Sequence, residues 1–184
     1  TLWGNMNTAD LAQSTRLWQA DLAPGMSAHL SHPINDLNGA EAFLESFWKP
    51  LKRAMPNLRR QHYILMADTK DGGDWVTSTG YYRGSFTTDW LEFPLAGKPV
   101  SLRFGEFVRM ENNQVQEIYM LLDLIDLLRQ AGHEVLPRET GETGFVPGPI
   151  MQDGVRLGPK DPAVTEASRN LVHTMIYDGL LQYD

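Results

Sequence analysis

Apolar positions recur at helical spacing in the first third of the chain and then change to alternation. Residues Thr8 to Asp21 predict a first helix, with Thr8 as its N-cap and Leu11, Leu17 and Trp18 as its apolar stripe. Pro24-Gly25 ends it. A second helix is predicted from Gly39 to Ala54, where Ala42, Phe43, Phe47, Trp48 and Leu51 share a face. Pro50 kinks or interrupts that helix and Pro56 stops it. Beyond it, Gln61 to Ala67, Asp74 to Tyr82, Val100 to Met110 and Val115 to Leu122 read as strands rich in Val, Ile, Tyr, Phe and Thr. Asp71-Gly72-Gly73 and Glu111-Asn112-Asn113 supply the turns.

Helix, helix and then strands joined by short turns predict an α+β fold: a curved antiparallel sheet with helices on one face, whose concave side is a natural pocket. From Thr140 to Pro162 the composition shifts to Gly and Pro, including Gly141, Gly144, Gly154 and Gly158, which predicts an extended arm. Val164 to Tyr183 then becomes helical, with Leu171, Val172, Met175, Ile176, Leu180 and Leu181 apolar. The expected organisation is a domain over 1–138, a linker or arm over 139–162 and a helix over 163–184.

The 184 residues are 42% hydrophobic and 21% charged, an ordinary globular composition. The net charge of -7 is spread along the chain, so no basic field exists to hold nucleic acid or an anionic membrane. With zero cysteines, a disulfide framework, a thiolate metal site and Cys nucleophile chemistry are excluded, which fits a cytoplasmic location. No apolar run approaches the roughly 20 residues that span a bilayer, and the first residues lack the pattern of a signal peptide.

Asp123 is a lone carboxylate between the apolar strand ending at Leu122 and the apolar helix Leu124 to Gln130. Apolar surroundings raise a carboxyl pKa towards the range useful for proton transfer, whereas an Asp in that position also serves as an N-cap; both roles stay open. Glu106 shares a strand face with Leu102, Phe104 and Val108, where an unpaired carboxylate is costly. It is either a second acid/base group or, on an outer face, a solvated residue. Tyr119 falls on the face of Leu121 and Asp123, either as a hydrogen-bond donor or as core. Tyr81 and Tyr82 point to opposite faces, so one of them can line a pocket. His29 and His32, with Asp36 nearby, have the spacing of a metal pair, but Pro33 breaks a helix through them and no other clustered ligands complete a tetrahedral or facial set. A place in the loop at the pocket mouth, with His62 and Trp48, is the better expectation. No G-x-S-x-G elbow or P-loop is present.

Three segments resemble the SnoaL-like polyketide cyclase branch of the NTF2-like superfamily. The first runs from Gly39-Ala40-Glu41-Ala42-Phe43 through Phe47-Trp48-Lys49-Pro50-Leu51 to Met55-Pro56-Asn57-Leu58. The second is Trp75 to Gly84 with Pro94 and Gly97-Lys98-Pro99-Val100. The third runs from Phe107-Val108-Arg109-Met110 through Gln114-Val115-Gln116-Glu117-Ile118-Tyr119 to Asp123 and Gln130. The resemblance implies a cone-shaped fold around an apolar pocket. It also implies cofactor-independent acid/base chemistry on an apolar carbonyl compound, of cyclase, isomerase or dehydratase type, as in polyketide cyclases and ketosteroid isomerase-like enzymes. Asp123 takes the proton-transfer role by this likeness. Gly80-Tyr81-Tyr82 stands where the family has Gly-Thr-His, and Tyr119 where it has Trp. A non-catalytic ligand-binding or dimerisation module is the alternative. The resemblance further implies pairing as a homodimer or with a tandem domain, since residues 161–184 look like the opening helix of a second copy.

Overall fold

The computed structural model describes residues 5–137, 140–141, 145–156 and 158–182. Gly144 and Tyr183 lie outside the described residues. Helix α1 spans Leu11–Asp21 and is capped by Asp10, whose carboxylate accepts from Gln13 N at 2.7 Å. Thr8 is therefore not the cap. Asp10 presents a short carboxylate to a free first-turn N–H, and the Thr8 hydroxyl instead donates to Asn5 O.

The segment read as a loop after α1 is strand β1, Leu22–Leu30. Met26, Ala28 and Leu30 alternate inward, and the register shifts between Leu22 and Ser27, so Pro24-Gly25 sits at an irregularity where proline is tolerated in a sheet. A short β2, Asp36–Asn38, pairs with it. The second helical stretch begins as α2 (Ala40–Phe43), widens into a π segment over Leu44–Trp48 and continues as α3 (Lys49–Ala54). The widening lies immediately before Pro50, which has no N–H to donate, and Lys49 N reaches back to Leu44 O.

Strands β3 (Arg59–Lys70), β4 (Gly73–Ser85), β5 (Pro99–Glu111) and β6 (Gln114–Leu122) follow, and α4 (Leu124–Gln130) closes the domain. The six-stranded sheet has the order β2-β1-β6-β5-β4-β3, antiparallel throughout except for the parallel β1–β6 pair. This is an α+β, NTF2-like architecture. No helix among the described residues is long and apolar enough to cross a membrane.

Cross-strand pairing sorts the side chains into two faces. The inner face carries Tyr82 opposite Leu102, Phe104 opposite Leu122 and Glu106 opposite Met120, and it buries Phe43, Phe47, Trp48 and Leu51 from the helices. The outer face carries His29, Tyr119, Phe107 and Thr77 in one row. The arm meets the outer side of β4, where Tyr81 Oη donates to Val146 O at 3.0 Å, and pairs with the free edge of β3, where Leu65 bridges to Val155. Gly148 and Gly154 are needed there, since a Cβ on either would lie 2.2 or 2.4 Å from Tyr63. Helix α5, Pro162–His173, continues the chain with none of its residues buried.

Candidate active site

Asp123 sits one residue past β6. Its backbone N–H donates to Arg103 O at 3.0 Å, which extends the ladder by a step and sets the two side chains beside each other on the outer side of the sheet. One carboxylate oxygen, Oδ1, accepts from Asp126 N at 3.1 Å as the cap of α4. The other, Oδ2, lies 3.6 Å from Arg103 Nε, with the two side chains 35% and 38% exposed. The cap role and an outward-facing oxygen thus coexist in one residue.

Asp123 and Arg103 line a groove of about 560 Å³ with His32, Phe104, Leu121 and Ile125. Gly105 leaves its floor open between Arg103 and Phe107, and a Cβ there would meet Thr79 Oγ1 at 3.3 Å. Arg103 Nε is shielded from solvent and makes no hydrogen bond among the described residues. Its charge partner is Asp123.

The concave side, expected as the pocket, is occupied by core. Trp48, expected at a pocket mouth, is fully buried and donates from Nε1 to Ser14 Oγ at 3.2 Å, because the π segment turns it towards α1. Tyr82 is likewise buried on the inner face. Burial pushes its phenol well above the usual range, so it stays neutral there. Glu106 is 5% exposed on the same face and is neutralised by Arg60, with Ser78 Oγ donating to Glu106 Oε1 at 2.7 Å. Arg60 also donates to Tyr82 Oη at 2.7 Å and to Ser78 Oγ at 2.9 Å, and its guanidinium lies 3.9 Å over the Phe104 ring. His62 accepts from Arg60 Nε at 3.3 Å. Burial, and secondarily the Arg60 cation, pull its pKa down to about 4.

Tyr119 and His29 belong to neither group. Tyr119 Oη donates to Glu117 Oε1 at 2.9 Å, and the His29 ring stacks on Tyr119 with centroids 4.7 Å apart. That bond to Glu117 is the main reason the Tyr119 phenol is raised and the Glu117 carboxyl lowered. His29 is a β1 residue rather than a loop residue, and its Nδ1 pairs with Asp36 Oδ1 at 2.8 Å. No group of three metal-binding side chains forms among the described residues.

Sequence reasoning missed Arg60, Ser78 and Arg103. Arg60 was legible only indirectly, as the cation that Glu106 on an apolar face requires; in the sequence it is half of an Arg-Arg pair that looks solvated. Arg103 alternates with Leu102 and Phe104 on β5 and so could have been placed on the face opposite Glu106.

The family model of the SnoaL-like polyketide cyclases matches residues 3–131. The chain belongs to that family. Among solved structures, a candidate SnoaL-like polyketide cyclase from Jannaschia sp. aligns with TM-score 0.56 and 19% identity, over 71% of this chain and 83% of that one. IdmH from Streptomyces antibioticus, a candidate polyketide cyclase, aligns with TM-score 0.57 and 17% identity over 71% and 96% of the two chains. AclR from Streptomyces galilaeus, a candidate hydroxylase, aligns with TM-score 0.56 and 17% identity over 100% of this chain and 93% of its own. At such identities these likenesses establish the SnoaL-like fold and nothing finer. No curated protein matches the chain in sequence.

Proposed function

We propose that this SnoaL-like chain binds an apolar, carbonyl-bearing small molecule in the groove at the end of β6, and that Asp123 moves a proton on it without a cofactor. The observation that carries this reading is the division of labour in Asp123: Oδ1 is held by the helix, while Oδ2 stands beside the Arg103 guanidinium at the groove. Leu121 and Ile125 supply the apolar walls for the ligand body. With a carbonyl oxygen directed at Arg103, Asp123 Oδ2 would remove a proton from the adjacent carbon. The guanidinium would stabilise the negative charge developing on the oxygen. The enolate could then close a ring, shift a double bond or expel a leaving group, so cyclase, isomerase and dehydratase outcomes share these parts.

The test is deuterium exchange at the α-carbon of a panel of apolar ketones in D2O, followed by proton NMR. Enzyme-dependent exchange that disappears in both Asp123→Asn and Arg103→Gln supports the reading. Exchange that survives Asp123→Asn removes the base.

One observation favours a second reading, that of a non-catalytic binding module. Glu106 is locked in an ion pair behind a filled inner face and is unsuited to be the second acid/base group. Ligand binding without any α-exchange would favour the module. Pairing with a second copy or a tandem domain is supported by the exposure of Leu121 (73%) on the outer face, and sedimentation of the chain against Leu121→Lys tests it.

A further inference from the structure

Helix α5 stands over the outer face of the sheet and leaves a second groove of about 910 Å³ between them, within the range of small-molecule sites. Its floor is made by Met66, Trp75, Thr77 and Phe107. The roof is one side of α5, namely Thr165, Ser168, Arg169 and Val172 at helical spacing. Phe107 is 56% exposed here, and Trp75 stacks on Tyr119 with centroids 6.4 Å apart, so the floor presents flat aromatic surface.

The roof is unusual for an amphipathic helix set beside a sheet. An amphipathic helix ordinarily turns its apolar stripe to the sheet. Here Thr165, Ser168 and Arg169 line the groove beside Val172, while Leu171 stays 72% exposed. Among the lining side chains, Lys70, Lys160 and Arg169 outnumber Asp68 and Asp71, and His173 stands at the end, in a chain whose net charge is -7. All three of these cations already have carboxylate neighbours: Lys70 lies 3.8 Å from Asp71, Lys160 lies 3.8 Å from Asp68, and Arg169 donates to Glu166 at 3.0 Å. Arg169 is about half exposed, so its remaining N–H groups are open to an anion.

We infer that this groove is a second binding site, distinct from the Asp123 groove, for a planar aromatic molecule bearing a carboxylate. The rings lie on Trp75 and Phe107, and the carboxylate meets Arg169 and the Ser168 hydroxyl. A flat apolar body matches the floor, and a single negative group matches the Arg169 N–H groups that Glu166 leaves open.

The probes are 2-naphthoate and its neutral isostere 2-naphthamide, titrated into the full chain by isothermal calorimetry, with ligand-observed NMR for weak binding. Tighter binding of the naphthoate is expected. Arg169→Gln should weaken the naphthoate roughly tenfold, the scale of a charge-assisted hydrogen bond, and leave the naphthamide unchanged. Phe107→Ser should weaken both, and Asp123→Asn neither. Residues 169 and 107 are exposed enough for both variants to fold, and circular dichroism verifies it. Naphthoate affinity untouched by Arg169→Gln and Phe107→Ser, or lost in Asp123→Asn, overturns the assignment, as does the absence of binding at millimolar probe. Because the ketone-exchange assay reads only the Asp123 groove, either proposal can fail without the other.

Discussion

Arg60 and Glu106 form an ion pair across the inner face of the sheet, from the edge strand β3 to β5, with side chains 0% and 6% exposed. Two buried charges are tolerated there because Ser78, Tyr82 and His62 use their remaining hydrogen-bonding capacity. Removing one partner strands the other. Glu106→Ala is expected to lower the unfolding free energy by about 3–5 kcal/mol. The double variant Arg60→Met with Glu106→Leu should lose less than the sum of the two single changes, and urea denaturation of all four proteins reads the coupling. Strict additivity would mean that the pair does not act as a unit.

Asp123 should separate stability from chemistry. Asn is as good an N-cap as Asp, so Asp123→Asn is expected to stay within about 0.5 kcal/mol of the parent, whereas Asp123→Ala should lose about 1 kcal/mol. Turnover of any accepted ketone should fall by about 10²–10⁴ in both. Thermal denaturation and a rate assay on the same samples check this, and a rate that follows stability alone would reduce Asp123 to a cap.

His62 confers a pH dependence whose sign follows from its burial. Its pKa of about 4 in the folded chain lies below its unfolded value of about 6.5. Between those values the unfolded chain binds more protons, so stability is lost as pH falls from about 6.5 towards 4. Carboxylates such as Glu117 lose stability in an overlapping range, since its folded pKa is lowered as well. The difference between the parent and His62→Gln isolates the histidine. Urea midpoints of the two proteins should converge as pH drops through that window, and parallel curves would mean that His62 does not titrate between the two states.

Gly80 faces the irregularity in β3 between His62 and Ile64. A Cβ there would lie 2.0 Å from Gln61 O, a backbone atom that cannot step aside. Gly80→Ala should therefore destabilise by about 1–3 kcal/mol, with Gly25→Ala as the control, since nothing lies within 4 Å of a Cβ at that position. Equal chemical-denaturation midpoints for the two variants would show that β3 yields.

How far the sequence could be read depends on which physical signal dominated each segment. The four later strands and the helix Leu124–Gln130 were legible because alternation, turn residues and an N-cap agreed. Strand β1 was not, because Pro24-Gly25 reads as a terminator and the inward run Met26, Ala28, Leu30 contains no large β-branched residue. The charged centre of the inner face was half visible: Glu106 stood out on an apolar face, while Arg60 is separated from it by 46 positions and announces nothing locally. Which face holds the groove at Asp123 depends on a register that alternation alone does not set.

The parallel seam between β1 and β6 has a consequence for how the chain is made. Ser31, just past β1, accepts from Leu122 N at 2.8 Å, a partner 91 positions away. During vectorial synthesis β1 leaves the ribosome with no strand on that flank until β6 has been translated, and loop-closure entropy delays the pairing further. The hairpins β3–β4, β4–β5 and β5–β6 can form from neighbouring residues, whereas the strand that completes the sheet is the first to be synthesised and the last to be used.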